Sequence, residues 1–143
     1  MSEIRELRFA DTAAVANLCG QLGYPATPEQ VVRRLARLLA EPSHAAFVAV
    51  EEGEVAGWLH VFLAPNLESD LFAEIGGLVV ADAWRSRRIG ARLVAHARAW
   101  AAERGVTTLR VRSRTEREAA HRFYRREGFV EAKRQAVFVR EGE

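Results

Sequence analysis

The chain has 143 residues, 49% of them apolar and 28% charged, so it can bury an ordinary core beneath a charged surface. That balance excludes a disordered chain, a collagen-like repeat and a disulfide scaffold, and the longest apolar runs, near residues 45–50 and 78–81, fall far short of the ~20 residues of a membrane span. The net charge of +2 hides an asymmetry: residues 1–72 hold five basic against ten acidic residues, residues 73–143 sixteen against nine, and Lys133 is the only basic residue that is not arginine. An acidic first half and a basic second half suit one cationic and one anionic ligand, although a solvated Arg-rich surface is the plainer reading.

Residues 4–9 alternate apolar and charged side chains and predict a strand. Asp11 is a good N-cap for a helix through Leu18, with Gly20 and Gly23 as its stop. Thr27-Pro28-Glu29-Gln30 combines an N-cap, a proline at the first helical position and a capping-box partner. It opens a helix with apolar positions at Val31, Val32, Leu35, Leu38 and Leu39, ended by Pro42. Residues 45–50 and 55–63 flank Glu51-Glu52-Gly53-Glu54 and predict a hairpin. Residues 72–80 form a further strand, with a bulge expected at Gly76-Gly77.

After Val80 the period changes from 2 to 3.6. Ile89, Leu93, Val94, Ala97, Trp100 and Ala101 share one face of a long helix that Gly105 caps. A short strand at 109–112, a helix at 116–127 closed by Gly128, and a strand at 129–140 complete the series. The order β-α-α-β-β-β-α-β-α-β predicts one α/β domain over residues 1–143: a central, mostly antiparallel sheet, helices on both faces, and a β-α-β unit at its middle.

The most informative stretch is Ala73-Glu74-Ile75-Gly76-Gly77-Leu78-Val79-Val80, a loop, then Arg85-Ser86-Arg87-Arg88-Ile89-Gly90-Ala91. A strand runs into an arginine-rich turn, and the turn runs into a helix with Gly90 in its first turn. Unpaired amides and the helix dipole make such a terminus an anion site, and Arg85, Arg87 and Arg88 supply counter-charge. The plainer alternative is a solvated basic turn. The loop lacks the Lys-Ser or Lys-Thr of a P-loop and the three glycines of a dinucleotide fingerprint, so both classes drop out.

Arg85-x-x-Arg88-x-Gly90 resembles the acetyl-CoA loop of the GNAT superfamily of N-acetyltransferases, whose pattern is Gln/Arg-x-x-Gly-x-Gly/Ala. Phe72-Ala73-Glu74-Ile75 is similar to the strand that carries a catalytic Glu in the superfamily's histone-acetylating members. Ala120-His121-Arg122-Phe123-Tyr124-Arg125-Arg126-Glu127-Gly128-Phe129 is similar to its later helix, which ends in Tyr-x-x-x-Gly-Phe. Two positions depart from the family pattern: Arg88 stands where glycine is usual, and Arg117 where many members carry Asn. Arg88 is expected to take ordinary helical dihedrals, with its backbone open to the cofactor and its side chain outward.

The resemblance implies an acetyl-CoA-dependent N-acetyltransferase that acts by direct transfer to a primary amine of a small molecule or peptide. It implies pantetheine pairing with the backbone of Leu78, Val79 and Val80, and pyrophosphate binding by Arg85, Ser86, Arg87, Arg88, Ile89, Gly90 and Ala91. Glu74 is the candidate base, directly or through water, because a carboxylate in apolar surroundings is a stronger base than one in water. Tyr124 is the candidate acid, a phenol that stays protonated at neutral pH. Their plainer readings are a strand-edge Glu and a core aromatic beside Phe123. His60 is an alternative base; His44, His96 and His121 fit no ligand spacing, and no metal is implied.

Trp58, Trp84 and Trp100 read as core or loop anchors, and the arginines at 85–140 lack the interleaved aromatics of a nucleic-acid groove. A nucleic-acid-binding domain is therefore the weaker alternative, beside a GNAT-like acyl-CoA sensor without turnover. The acceptor pocket is expected in residues 20–45 and 64–72, where Glu41, Glu68 and Asp70 suit a cationic amine. Cys19, the single cysteine, has no internal disulfide partner, and residues 1–6 carry charges where a signal peptide is apolar. A cytoplasmic protein without membrane contact is expected, and a homodimer is common in the family it resembles.

Overall fold

The computed structural model describes residues 2–85 and 87–142. The chain divides into two compact units, Met1–Val111 and Arg112–Glu143. In the first, five strands form one sheet in the order β1-β2-β3-β4-β5. They are β1 (Ser2–Glu6), β2 (His44–Glu51), β3 (Glu54–Ala64), β4 (Phe72–Val80) and β5 (Leu109–Val111). The first four are antiparallel neighbours, and β5 lies parallel to β4 across α3 (Ile89–Glu103), which makes the expected β-α-β unit. The structure thus has the α/β class and mostly antiparallel sheet predicted from the sequence.

Helices α1 (Thr12–Leu22) and α2 (Pro28–Leu39) lie on one sheet face, where Val15, Ala16, Val31 and Leu35 bury against Ala46 and Val48. Helix α3 covers the other face through the fully buried Leu93 beside Gly57 and through His96 against Phe47. The capping box forms as predicted: Thr27 N–H donates to Gln30 Oε1 (3.0 Å) and Gln30 N–H to Thr27 Oγ1 (3.1 Å). Glu52 (φ 51°) and Gly53 (φ 81°) turn the β2–β3 hairpin with two left-handed residues, a geometry that matches strand twist.

Four expectations are corrected. Gly20 does not stop α1, which runs on to Leu22 and ends at Gly23 (φ 94°). Asp11 makes no side-chain cap; its buried carboxylate accepts from Arg5 Nη1 (2.8 Å), Arg5 Nη2 (2.9 Å) and the Arg8 amide (2.8 Å). That ion pair ties β1 to the turn before α1 and holds the Asp11 carboxyl below its ordinary value, chiefly through Arg5. The first strand lies at Ser2–Glu6, so Leu7 ends up buried in the core and Phe9 in a short 3₁₀ turn.

The fourth correction concerns the second unit. It holds α4 (Glu118–Arg126), closed by Gly128 at φ 94°, with the Phe129 amide donating to the Tyr124 carbonyl at 2.9 Å. Residues 129–140 are not a strand. Val130, Val137, Phe138 and Val139 are exposed, Arg134 bonds to Glu131, and with no ladder to a partner strand among the described residues the segment has nothing to bury an apolar face against.

Candidate active site

The local geometry of β4 starts from its two glycines. Pairing with β3 runs Gly57↔Val80 to His60↔Gly77, then resumes at Val61↔Ile75, so Gly76 is the extra residue of a β-bulge. Neither glycine has room for a side chain. A Cβ on Gly76 would stand 2.5 Å from His60 Nδ1, and one on Gly77 2.6 Å from the Trp58 indole. On the opposite edge, β5 pairs only with Ala73, Glu74 and Ile75. Beyond the bulge, Leu78, Val79 and Val80 keep β3 on one side and have no strand ladder on the other among the described residues. The sheet opens along those three residues, leaving main-chain groups directed into the gap.

The opening leads into the arginine loop. A 3₁₀ turn at Asp82–Trp84 follows β4, and the chain is extended at Arg85. The first intrahelical bond of α3 joins the Arg92 amide to the Arg88 carbonyl (3.0 Å), so the amides of Ile89, Gly90 and Ala91 have no partner within the helix. Arg85 is exposed and pairs with Asp82 at 3.0 Å, while the Arg87 guanidinium lies 5.0 Å from the centre of the Trp84 ring. Ile89 is buried and anchors the helix start. Ser86 lies outside the described residues.

Arg88 departs from expectation. It takes φ 61° and ψ 20°, the left-handed region, instead of right-handed helical dihedrals. The backbone there demands what the family's usual glycine supplies without strain, and an L residue adopts it at a cost of about 1–2 kcal/mol.

Glu74 is half-buried, opposite Phe62 on β3 and Arg110 on β5. Cross-strand partners share a sheet face, so Glu74 shares one with Phe62 and with His60, two residues away on β3. The β2–β3 register has its own shift at Ala49/Val50, and it sets His44 opposite Phe62. Four chemistry-bearing or aromatic side chains, His44, His60, Phe62 and Glu74, therefore lie on one face beside the bulge. His44 Nδ1 and His60 Nε2 are 2.9 Å apart. The two rings stack at 5.2 Å and 13°, and each stacks on Phe62, at 5.2 and 5.4 Å. Burial, with His44 adding to it, pushes the His60 imidazole down to about 4, so it is neutral at pH 7. The paired histidines were not anticipated from the sequence.

Tyr124 belongs to the second unit. Its ring meets Phe123 and Phe129 edge-on at 5.2 and 5.5 Å. Burial raises the phenol above its ordinary value of 10, against the opposing charge of Arg117, so the hydroxyl is protonated at neutral pH. Glu41, Glu68 and Asp70 are exposed; Asn66 shapes the loop around the latter two by accepting from the Glu68 and Ser69 amides at 2.8 and 2.9 Å. Cys19 is half-buried, and burial raises its thiol above the ordinary value, which suits a packed side chain rather than a nucleophile.

Comparison with known proteins bears on this arrangement. The profile of the acetyltransferase (GNAT) family matches residues 9–129, a span that runs from the 3₁₀ turn before α1, through β4, to Phe129 just beyond α4. The chain belongs to the GNAT acetyltransferase family. Over 132 residues it is 30% identical to the aminoalkylphosphonate N-acetyltransferase of Salmonella typhimurium, covering 91% of this chain and 86% of that protein. Among solved structures, a transcriptional regulator from Bacillus halodurans superposes with TM-score 0.87 at 24% identity, over 99% of this chain and all of the other. An aminoglycoside N-acetyltransferase in complex with CoA superposes with TM-score 0.85 at 19% identity, over 99% of this chain and 95% of that one. These two likenesses show a shared fold. As a GNAT acetyltransferase the protein is an acyltransferase. Among the described residues no helix is long and apolar enough to cross a membrane.

Proposed function

We propose that this GNAT acetyltransferase moves the acetyl group of acetyl-CoA directly to a primary amine of a small molecule or peptide, and that residues 1–143 work as one acetyltransferase domain. The observation that carries the reading is the opening of β4: a strand bulged at Gly76, free of β5 beyond Ile75, that runs into a helix start with open amides and arginines. Unladdered main-chain groups at Leu78, Val79 and Val80 suit the two amides of pantetheine. The amides of residues 87–91, with Arg85, Arg87 and Arg88 and the Ser86 hydroxyl, suit a pyrophosphate.

In this reading the amine nitrogen attacks the thioester carbonyl carbon; an N–C bond forms and the C–S bond breaks. Glu74 accepts a proton from the nitrogen, directly or through one water, and releases it to solvent after the product leaves. Tyr124 donates its hydroxyl proton to the departing sulfur and regains one from solvent. No metal takes part. For the acceptor, a cationic aminoalkyl compound is favoured: the Salmonella relative is named for aminoalkylphosphonates. The exposed Glu41, Glu68 and Asp70 suit an ammonium group.

Acetyl-CoA at about 100 times its dissociation constant should stabilise the fold by roughly 2.7 kcal/mol and raise the melting temperature by several degrees. Free thiol should then appear with at least one member of a panel of aminoalkylphosphonates, polyamines and aminoglycosides. No thermal shift at millimolar acetyl-CoA would refute the cofactor; a shift without turnover of any amine would leave an acyl-CoA sensor.

A further inference from the structure

His44 and His60 have no part in the steps above, yet proton balance leaves a task for them. An alkylammonium acceptor gives up two protons on becoming an amide, one to expose its lone pair and one as the N–C bond forms. The departing thiolate takes up one. One proton per turnover therefore has to leave for water, and a half-buried site needs a route for it.

The pair is built in the right direction for that route. His60 Nδ1 faces the β4 bulge, because it is the atom a Cβ on Gly76 would meet at 2.5 Å. His60 Nε2 faces away from it, 2.9 Å from His44 Nδ1. His44 is the first residue of β2 and follows the exposed Glu41 and Pro42, so the pair runs from the sheet's interior toward its edge. Gly76 itself is exposed although it sits in mid-strand, which makes the bulge a point where a ligand reaches the sheet. Phe62 stacks on both rings and fixes their planes. Glu74 shares the face, so the two groups able to take protons from one nitrogen flank the same strand.

We propose that His60 and His44 form a proton exit for acetyl transfer, from the acceptor nitrogen at the Gly76 bulge to solvent. The proposal rests on the acetyl-transfer reading and adds two working residues to it. Glu74 takes one proton of the ammonium group and returns it to solvent once product has left, in balance with the solvent proton that restores Tyr124. As the N–C bond forms, His60 Nδ1 takes the other while the His60 Nε2 proton passes to His44 Nδ1, and His44 releases its Nε2 proton to water. The number of protons on the pair is unchanged, and after product leaves the two rings return to their starting tautomers by exchange with water. A neutral His60 has the lone pair this hand-over needs, and the burial that holds it neutral places the transient charge on the outer ring. His60 is a catalytic residue in this scheme and His44 the group it acts through.

The test compares wild type, His60→Gln and His44→Gln with the best amine of the panel described above, after circular dichroism has established folding. Glutamine can hold a hydrogen bond at either place and cannot hand a proton on, so a merely positional role survives the substitution. For His60→Gln, kcat should fall about a hundredfold or more, with acetyl-CoA affinity by calorimetry within about twofold of wild type. For His44→Gln, kcat should fall about tenfold and rise again with the concentration of a small buffer such as imidazole. A kcat within threefold of wild type in both folded variants overturns the exit, as does loss of rate in His44→Gln that no buffer restores. Should His60→Gln not fold, the buffer response of His44→Gln decides alone. A wild type that binds acetyl-CoA and acetylates no amine overturns the acetyl-transfer reading itself, and the exit falls with it.

Discussion

Replacing Arg88 by glycine sets a gain in stability against a loss in cofactor binding. At φ 61° the Cβ of an L residue crowds its own carbonyl, which costs about 1–2 kcal/mol. Glycine removes that strain and gains freedom in the unfolded chain worth about 0.5–1 kcal/mol in the opposite sense. Arg88 is exposed, so its departure empties no core space. The net gain is roughly 0.5–1 kcal/mol, which for a chain of this size raises the melting temperature by about 2–4 °C. The same change removes one guanidinium from the proposed pyrophosphate site. An exposed charge pair of this kind is worth up to ~1 kcal/mol, so acetyl-CoA affinity should weaken about fivefold. Thermal unfolding without ligand reads the first effect, and calorimetric titration reads the second. A melting temperature lowered by a degree or more would refute the strain argument, since the side chain would then hold the turn by contacts that outweigh its backbone cost.

Three further substitutions probe separate parts of the molecule. Gly90→Asp puts a negative charge at the first turn of α3, where acid is compatible with the helix dipole; the protein should stay folded while acetyl-CoA affinity falls at least tenfold, and calorimetry showing unchanged affinity would remove the loop from the cofactor site. Tyr124→Phe keeps the ring contacts with Phe123 and Phe129 and removes only the hydroxyl, so kcat should drop roughly 10²–10⁴-fold with little change in acetyl-CoA affinity; a kcat within threefold would return Tyr124 to plain packing. Asp11→Asn leaves the Arg5 guanidinium without its carboxylate and should cost about 2 kcal/mol at pH 7. Because the Asp11 carboxyl is held below its ordinary 3.8 in the folded protein, that contribution is complete above about pH 5 and fades as pH falls below 4, so the wild type should lose more stability than the variant on acidification; equal losses in urea titrations at pH 7 and pH 3 would contradict it.

Local signals with one physical cause were legible in the sequence. Thr27-Pro28-Glu29-Gln30 starts a helix because each residue satisfies a particular orphan amide or dihedral, and the structure closes that box on both sides. The bulge at Gly76-Gly77 was readable because two adjacent glycines in an apolar strand have few other uses. The stop of α1 was misplaced for the converse reason: Gly20 is tolerated inside a helix, and only Gly23 carries the left-handed φ that ends one. Arg88 was misread because side-chain identity outweighed position; arginine favours helix, while the entry to α3 takes a left-handed residue whatever its type. The segment 129–140 was misread because β-propensity at Val137, Phe138 and Val139 says nothing about a partner, and a strand exists only as half of a ladder.

The histidine pair shows why a site can be hidden in a sequence whose strands are read correctly. Counting back from the hairpin turn, Glu51 opposes Glu54, and an uninterrupted ladder would set His44 opposite Val61 and His60 opposite Ala45, on opposite sheet faces. The one-residue shift at Ala49/Val50 moves His44 opposite Phe62 and so onto the face of His60. The second shift does the same for Glu74: continuing the Gly57↔Val80 register would oppose it to Leu63, while the extra residue at Gly76 brings it opposite Phe62. Two bulges thus convert three polar side chains scattered over both faces into one cluster beside the strand opening. The glycine that makes the second bulge is also the residue whose missing Cβ leaves space for the His60 ring. Strand position and the placement of chemistry are separate questions here, because a period of two magnifies a single inserted residue into a change of face for everything beyond it.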